Sequence, residues 1–169
     1  LMGGVLEPLY IGCEVTLMSP IYFLQKPVRW LEAISRYQAD ISGGPNFAYE
    51  LCINSIKESE LEGLDLSCWR SAVNGAEPIY QETLEQFTKK FAPYGFKERA
   101  HYPCYGMAET TLIITGGEQN SRFKALSLDS KQLKEGVVVP NEKGQSIISC
   151  GKTVLGHEVI IDAEDGKSV

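Results

Sequence analysis

The chain has 169 residues, of which 43% are hydrophobic and 9% aromatic, as is typical of a soluble globular domain. A compact domain of this length buries roughly 70% of the surface that its unfolded chain exposes. The formal net charge of −6 argues against nucleic acid or an anionic membrane as the main partner.

The start of the chain and its cysteines predict a cytoplasmic protein. Glu7 and Glu14 interrupt the first apolar residues and no basic residues precede them, so we expect no signal peptide. No run approaches the ~18 apolar residues of a membrane helix. The cysteines are widely spaced, which favours reduced thiols over a disulfide framework or a zinc site. They are Cys13, Cys52, Cys68, Cys104 and Cys150.

The first elements alternate between helix and strand. Residues 6–11 are predicted to be helical, and residues 14–18 form a short β-prone run. Pro27 stands where a helix would begin, because proline lacks the N–H that the first helical turn leaves unpaired. The apolar residues that recur on one face of this helix are Val28, Leu31 and Ile34.

A second strand and helix are predicted next. Residues 40–42 read as a strand that ends at residues 43–45, with the sequence Gly-Gly-Pro. Asn46 is then expected to cap a helix, since its side chain can accept a hydrogen bond from the first turn. The apolar residues expected on the buried face of that helix are Phe47, Leu51 and Ile56.

The next unit has the most regular pattern. Residues 70–74 are predicted to form a strand that ends at Gly75, and residues 79–91 a helix that Pro93 stops. Its predicted inner stripe consists of Leu84, Phe87 and Phe91.

After Thr110 the pattern changes to short β-prone runs separated by Gly, Asn, Asp and Lys. These runs are residues 112–115, 137–139, 147–149 and 159–162. We therefore predict an α/β fold in two parts: a layered sheet with packed helices over residues 1–115, and a β-rich hairpin region over residues 116–169.

Two short motifs have the composition of a nucleotide site. Residues 74–78 read Asn-Gly-Ala-Glu-Pro and follow a predicted strand, where ligands of α/β sheets bind. Residues 105–111 read Tyr-Gly-Met-Ala-Glu-Thr-Thr. An aromatic ring can stack on a base, a glycine lets the backbone approach a phosphate, and a carboxylate can hold Mg²⁺. Taken singly, each motif is also compatible with an ordinary turn that binds nothing.

Together the motifs strongly resemble those of the adenylate-forming enzymes, the superfamily of acyl-CoA synthetases, luciferases and peptide-synthetase adenylation domains. Within it, the chain is most similar to the fatty acyl-AMP ligases. The resemblance implies an internal piece of the large N-terminal domain. The phosphate loop would precede this piece, and the mobile domain with its catalytic lysine would follow it.

The resemblance also implies roles for individual residues. Tyr105 would stack on adenine, Glu109 would ligate Mg²⁺, and Glu109 and Thr110 would be the catalytic residues. Most of the superfamily has a threonine where Ala108 stands, and the alanine is similar to the fatty acyl-AMP ligases. Thr110 or backbone N–H groups would then contact the α-phosphate. The residues assigned to ATP or AMP are Gly75, Ala76, Glu77, Pro78, Tyr105, Gly106, Met107 and Ala108.

A third matching segment would lie beside the acyl chain of the substrate. Its predicted substrate-binding residues are Gly43, Gly44, Asn46 and Phe47. The glycines would leave room for an apolar chain, and the helix start at Asn46 would meet the carboxylate. An ordinary helix start without a ligand remains the alternative.

An additional stretch, approximately residues 121–144, is similar to the insertion that distinguishes fatty acyl-AMP ligases. In that subgroup the insertion implies that acyl-AMP passes to an acyl carrier protein rather than to CoA. A surface hairpin with no influence on the acceptor is the alternative.

The resulting prediction is part of an enzyme that joins a fatty acid to ATP, releases pyrophosphate and passes the acyl group to an acyl carrier protein, with ATP/AMP and Mg²⁺ as cofactors. Nucleic acid and a membrane span are not expected. The chain alone is expected to be inactive, and exposed sheet edges favour a homo-oligomer. The alternatives are an acyl-CoA synthetase, an amino-acid adenylation domain, or a non-catalytic binding or structural module.

Overall fold

The computed structural model describes residues 2–161. The α-helices in this range are Glu7–Ile11 (α1), Pro20–Gln25 (α2), Val28–Tyr37 (α3), Asn46–Ser55 (α4), Gln81–Phe91 (α5) and Ser130–Lys134 (α6). The strands are Ile41–Gly44 (β1), Ser71–Asn74 (β2), His101–Gly106 (β3), Ile113–Gly116 (β4), Ala125–Leu128 (β5), Gln145–Ile148 (β6) and Lys152–Thr153 (β7). Within residues 2–161, no helix has the length and apolar character needed to span a bilayer.

Five of the strands form a single mixed sheet in the order β1-β2-β3-β4-β7. The pairs β1–β2 and β2–β3 are parallel, whereas β4 runs antiparallel to both β3 and β7. The remaining strands, β5 and β6, form a separate antiparallel hairpin. Because β1, β2 and β3 are parallel, their carboxyl ends lie at the same edge of the sheet.

Aromatic side chains fill the core between the sheet and α3, α4 and α5. Tyr49, Trp69 and Phe87 are fully buried, and the ring centroids of Tyr49 and Phe87 lie 5.0 Å apart in an edge-to-face arrangement. Such pairs contribute about 0.5–1.5 kcal/mol beyond the burial of their area. This core fixes the three helices, and with them the ends of the parallel strands.

A smaller apolar cluster holds the β5–β6 hairpin on α5. Ile148 of β6 packs with Ile79 and Leu84, and Phe123 contacts the same cluster. The Ser146 hydroxyl donates a hydrogen bond of 2.5 Å to the side-chain oxygen of Gln81 at the start of α5. The hairpin is therefore attached to the main layer by both apolar and polar contacts.

The predicted mixed α/β fold, with a layered sheet followed by a hairpin, is confirmed. The helices predicted over residues 6–11, after Pro27 and over residues 79–91 are present as α1, α3 and α5. The predicted inner stripes are buried: Val28, Leu31 and Ile34 in α3, and Leu84, Phe87 and Phe91 in α5. The division at residues 115 and 116 stays a prediction.

Two predictions about the first helices and strands were wrong. Residues 14–18 form no strand. Asn46 does not cap α4: the N-cap residue is Pro45, and Asn46 is the first helical residue, with its side chain turned inward. The buried face of α4 consequently consists of Asn46, Ala48, Tyr49 and Cys52. Of the residues predicted for this face, Ile56 is buried just after the helix, Leu51 is half-buried and Phe47 is 47% exposed.

The last third shows a mixed outcome. The runs at residues 112–115 and 147–149 correspond to β4 and β6, but residues 137–139 and 159–161 form no strand, and residue 162 lies outside the described residues. Strand β3 was missed because Pro103 interrupts it, and proline normally argues against an inner strand. Strand β5 and helix α6, both within residues 121–144, were also missed.

Candidate functional site

The three segments singled out in the sequence meet at the carboxyl edge of the parallel strands. Residues 43–47 include the end of β1, residues 75–78 follow β2, and residues 105–110 begin at the end of β3. In the register of the sheet, Gly44 lies opposite Asn74, and Asn74 lies opposite Pro103. The sequence motifs are thus neighbours in space, at the position where α/β sheets bind ligands.

Gly75 and Ala76 make the turn that leaves β2. A Cβ atom at Gly75 would lie 2.9 Å from both the carbonyl oxygen and the Sγ of Cys104, so the β3 backbone leaves no room for a side chain there. Ala76 has a φ of 70°, in the left-handed region that non-glycine residues seldom adopt. Gly75 and Ala76 therefore pack closely against β3, with a slightly strained backbone at Ala76.

Asn46 is the centre of a buried hydrogen-bond network at the start of α4. It is 1% exposed, and its Nδ2 donates to Glu50 Oε1 at 2.8 Å and to Thr83 Oγ1 at 3.3 Å. Its Oδ1 accepts from the Tyr80 backbone N–H at 3.3 Å and from Asn74 Nδ2 at 3.5 Å. Because buried polar groups are costly without partners, this network holds α4, β2 and α5 in one arrangement.

A second contact joins the same segments at the surface. The backbone N–H of Phe47 donates a 2.6 Å hydrogen bond to Glu77 Oε1. This N–H belongs to the first turn of α4, where no intrahelical acceptor exists and the helix dipole favours a negative charge. Residues 75–78 are thereby bonded directly to residues 43–47.

The segment after β3 is shaped by its own backbone. The β3–β4 register shifts between Tyr105 and Gly106, and a Cβ at Gly106 would lie only 1.7 Å from the carbonyl oxygen of Leu112. A single 3₁₀ turn, Ala108–Thr110, follows. Thr111 then has φ 77° and ψ −62°, the geometry of a rare and strained γ-turn, with the Leu112 N–H bonded to the Thr110 carbonyl at 3.1 Å.

The side chains of this segment are open to solvent. Tyr105 is 49% exposed, and Met107, Ala108 and Glu109 are also exposed. The Thr110 hydroxyl donates to the Met107 carbonyl at 3.1 Å, so it would have to leave that carbonyl before donating to a phosphate oxygen. The ring and the carboxylate are accessible to a ligand without rearrangement of the core.

Glu109 is a single carboxylate rather than part of a protein-only metal cage. Within residues 2–161, no cluster of three or more His, Cys, Asp or Glu side chains could hold a metal ion. Mg²⁺ commonly binds through one or two carboxylates together with phosphate oxygens and water. One exposed carboxylate on a 3₁₀ turn fits that mode of binding.

Cys104, adjacent to Tyr105, is unsuited to act as a nucleophile. It is buried, and burial raises the pKa of its thiol to about 11, with a further increase from Cys150. The thiol is consequently protonated at neutral pH, whereas nucleophilic attack needs the thiolate. All five cysteines are free.

The sequence analysis missed the polar partners of Asn46. Asn74 stood in the first motif without a role, and neither Glu50 nor Thr83 was considered. The available signal was a polar side chain on an otherwise apolar helix face, as at Thr83 beside Leu84. The structure also leaves the proposed contact of Asn46 with a substrate untested, since it shows the side chain bonded within the protein.

Comparisons with known proteins agree with this geometry. The family described as "AMP-binding enzyme" matches residues 1–169. The medium-chain-fatty-acid–[acyl-carrier-protein] ligase TtuA of Teredinibacter turnerae is 42% identical over 164 residues, which cover 95% of this chain and 26% of that protein. The ligase of the same description JamA, from Moorena producens, is 44% identical over 167 residues, covering 95% and 28%.

A solved structure shows the same arrangement of the chain. The fatty acyl-adenylate ligase from L. pneumophila, crystallised with acyl adenylate and pyrophosphate, superposes with a TM-score of 0.92 at 44% identity. The match covers 98% of this chain and 29% of that one. This chain therefore spans between a quarter and a third of the length of these relatives.

Proposed function

This chain belongs to the AMP-binding enzyme family, and from that premise we propose that it forms the nucleotide-holding edge of a fatty acyl-AMP ligase. The reaction joins a fatty acid to ATP, releases pyrophosphate and passes the acyl group to an acyl carrier protein. The observation that carries this proposal is the convergence of residues 43–47, 75–78 and 105–110 at one edge of the sheet. The names of the similar ligases support the same substrate and acceptor.

Adenine lies, in this proposal, between Tyr105 and the strip of residues 75–78. The half-exposed Tyr105 ring offers a face for stacking, which contributes about 1–3 kcal/mol by analogy with base–aromatic contacts. The Gly75–Ala76 turn brings backbone, instead of side chains, towards the base. Gly106, Met107 and Ala108 continue this wall towards the phosphates.

Glu109 and Thr110 act at the phosphate end. Mg²⁺, when bound, neutralises phosphate charge and orients the α-phosphate for attack by the fatty carboxylate. Glu109 supplies a carboxylate ligand, and Thr110 or a backbone N–H of the 3₁₀ turn donates to the phosphate. Because Ala108 has no hydroxyl, Thr110 and the backbone N–H groups are the hydrogen-bond donors of this turn.

The acyl chain passes along residues 43–47. Gly43 and Gly44 present a surface without side chains, and the exposed Phe47 ring offers an apolar contact. We assign Asn46 to this subsite through its control of the first turn of α4. The prediction that it also contacts the substrate carboxylate stays a prediction.

The choice of acyl carrier protein over CoA is assigned to residues 121–144. The contacts of this stretch support a fixed insertion: Phe123 packs against the cluster of Ile79, Leu84 and Ile148, and β5 pairs with β6, where Ser146 donates to Gln81. A hairpin attached to the main layer in this way would disfavour the rearrangement that CoA use requires.

The direct test is pyrophosphate exchange by the full-length gene product with ATP, Mg²⁺ and laurate. We expect laurate-dependent exchange and transfer of the acyl group to a carrier protein. Exchange that depends on an amino acid instead would contradict the fatty-acid assignment. Efficient transfer to CoA would favour an acyl-CoA synthetase, and binding without exchange would favour a non-catalytic module.

Three further assignments belong to the same proposal. The 169-residue chain alone is expected to release no pyrophosphate above a protein-free blank, because groups from the rest of the family domain stabilise charge on the α-phosphate. We place the protein in the cytoplasm, which cell fractionation tests. A homo-oligomer of the isolated chain is expected, and a monomer in light scattering would contradict that expectation.

A further inference from the structure

We propose that Glu77 is a positioning residue that couples the acyl and adenine subsites, so that occupation of one tightens binding at the other. This inference rests on the proposed function and refines it. The sequence analysis treated Glu77 as part of the adenine wall. The structure instead shows its Oε1 2.6 Å from the backbone nitrogen of Phe47, across the boundary between the two subsites.

The bond between Glu77 and Phe47 supplies an acceptor to the start of α4. Helix α4 has Pro45 as its N-cap residue and receives no cap hydrogen bond from that residue's side chain. Glu77, thirty positions further along the chain, supplies an acceptor to the first turn from a different segment. Since a carboxylate acceptor makes the bond charge-assisted, it is shorter and stronger than a neutral one.

Two hydrogen bonds link the start of α4 to residues 77–80. Besides Glu77 and Phe47, the Tyr80 backbone N–H donates to the buried Asn46 Oδ1 at 3.3 Å. The stretch from Glu77 to Tyr80 is thus bonded at both ends to consecutive residues of α4. A displacement of one segment is transmitted to the other instead of being absorbed by a flexible loop.

Water reaches the bond between Glu77 and Phe47. Glu77 and Phe47 are both exposed, so water competes for their hydrogen-bonding groups while the subsites are empty. A ligand in either subsite displaces that water, and a charge-assisted bond strengthens as its surroundings become less polar. The second ligand then meets a segment that is already ordered. Linkage requires the effect to be equal in both directions.

The experiment measures this coupling in the full-length gene product by calorimetry. The dissociation constant of laurate is determined alone and with saturating α,β-methylene-ATP, which cannot undergo adenylation. For the unaltered protein we expect laurate to bind about 10-fold more tightly with the nucleotide present, within the usual range of coupling energies. Glu77→Ala should bring that ratio close to one.

Two further variants separate coupling from a simple structural role. Glu77→Gln keeps an acceptor oxygen and the shape of the side chain without its charge. Its ratio of laurate dissociation constants without and with nucleotide should therefore lie between those of the unaltered protein and Glu77→Ala. Glu62→Ala removes an exposed carboxylate outside the site and should retain the full ratio. Circular dichroism verifies that each variant is folded, and Glu77→Gln supplies the test if the alanine variant unfolds.

The outcomes distinguish this inference from the proposed function. If Glu77→Ala keeps the 10-fold ratio, or if the unaltered protein binds both ligands independently, the coupling role of Glu77 is overturned. If the unaltered protein binds neither laurate nor the nucleotide, the proposed function itself is contradicted, and the coupling role of Glu77 with it.

Discussion

The proposed ligand site at the carboxyl edge of β1, β2 and β3 has two halves, which are held in different ways. The tied half, residues 43–47 and 75–78, is fixed by the buried Asn46 network and by the bond between Glu77 and Phe47. The open half, residues 105–111, extends exposed side chains from a bulged strand end and a strained turn. The tied half is therefore held by hydrogen bonds within the protein, whereas the open half presents its polar and aromatic groups to solvent.

This difference separates stability from chemistry. Changes in the tied half should affect folding as well as activity, since they break buried contacts. Changes in the open half should affect activity with little cost to folding. Variants in the two halves should therefore differ in whether the free energy of unfolding or the exchange rate changes.

The largest effect is expected at Glu109. Glu109→Ala removes the proposed Mg²⁺ ligand and should lower the rate of pyrophosphate exchange by at least about 100-fold, comparable to the loss of a charge-stabilising group. The urea midpoint should stay unchanged, because the side chain is exposed. Glu118→Ala, an exposed acid a few residues further on, serves as the control. Equal exchange rates in Glu109→Ala and Glu118→Ala would rule out the metal role.

A large pH effect on stability is expected from His101, whose buried ring contacts Thr88 and the Leu84 carbonyl of α5. Burial lowers the pKa of its imidazole to about 4, below its ordinary 6.5. The neutral ring is thus favoured in the folded state. Between pH 6.5 and pH 4 the unfolded chain binds a proton that the folded chain does not, so the free energy of unfolding should fall over this range by about 3 kcal/mol. Urea unfolding at pH 7 and pH 4.5 measures that decline.

The corresponding control is His101→Gln, which should lose this part of the pH dependence while retaining the part due to carboxylates. A variant whose stability falls with pH as steeply as that of the unaltered protein would show that His101 does not contribute. The His101→Gln variant should retain most of its rate of pyrophosphate exchange at pH 7, because His101 lies at the opposite end of β3 from the open half.

A smaller effect is expected from Asn46→Ala, which breaks the tied half. It leaves Asn74 and Thr83 with fewer buried partners, and the free energy of unfolding should fall by about 1–3 kcal/mol. Asn54→Ala, at an exposed position on the same helix, should change it by less than about 0.5 kcal/mol. Equal urea midpoints for the two variants would contradict a stabilising network around Asn46.

The smallest effect is expected from Thr111→Gly in the open half. Glycine adopts the positive φ of this turn without strain, so the free energy of unfolding should rise by about 1 kcal/mol. The exchange rate should nevertheless fall, since the turn that positions Glu109 becomes more flexible. Thr115→Gly, in β4 where φ is not positive, should instead lose stability. A faster exchange rate in Thr111→Gly would contradict the positioning role of the strained turn.

The sequence showed the composition of the open half, but not strand β3, from which the open half begins. Tyr105, Glu109 and their neighbours form one continuous motif, and their position at the sheet edge follows from the parallel arrangement of β1, β2 and β3. The helices α3 and α5 were predictable because single apolar stripes determine their burial. In these regions local pattern and tertiary packing favour the same structure.

The tied half depends on contacts between residues that are distant in sequence. Asn46 is a favourable helix cap by local chemistry, but partners from β2 and α5 draw it into the interior. The contact between Glu77 and Phe47 links two segments whose spacing in the sequence has no diagnostic pattern. Strand β3 was obscured by Pro103, which occupies an inner strand despite its missing N–H.

The most direct test is a calorimetric titration of the full-length gene product with lauroyl-sulfamoyl adenosine, a non-reactive mimic of the acyl-adenylate. The unaltered protein should bind it tightly, and Tyr105→Ala should bind it about 5- to 150-fold more weakly through the loss of stacking. The matched Tyr37→Ala, which removes an equally exposed ring outside the site, should bind normally. Identical affinities for Tyr105→Ala and the unaltered protein, or no binding at all, would contradict an adenylate site at this edge.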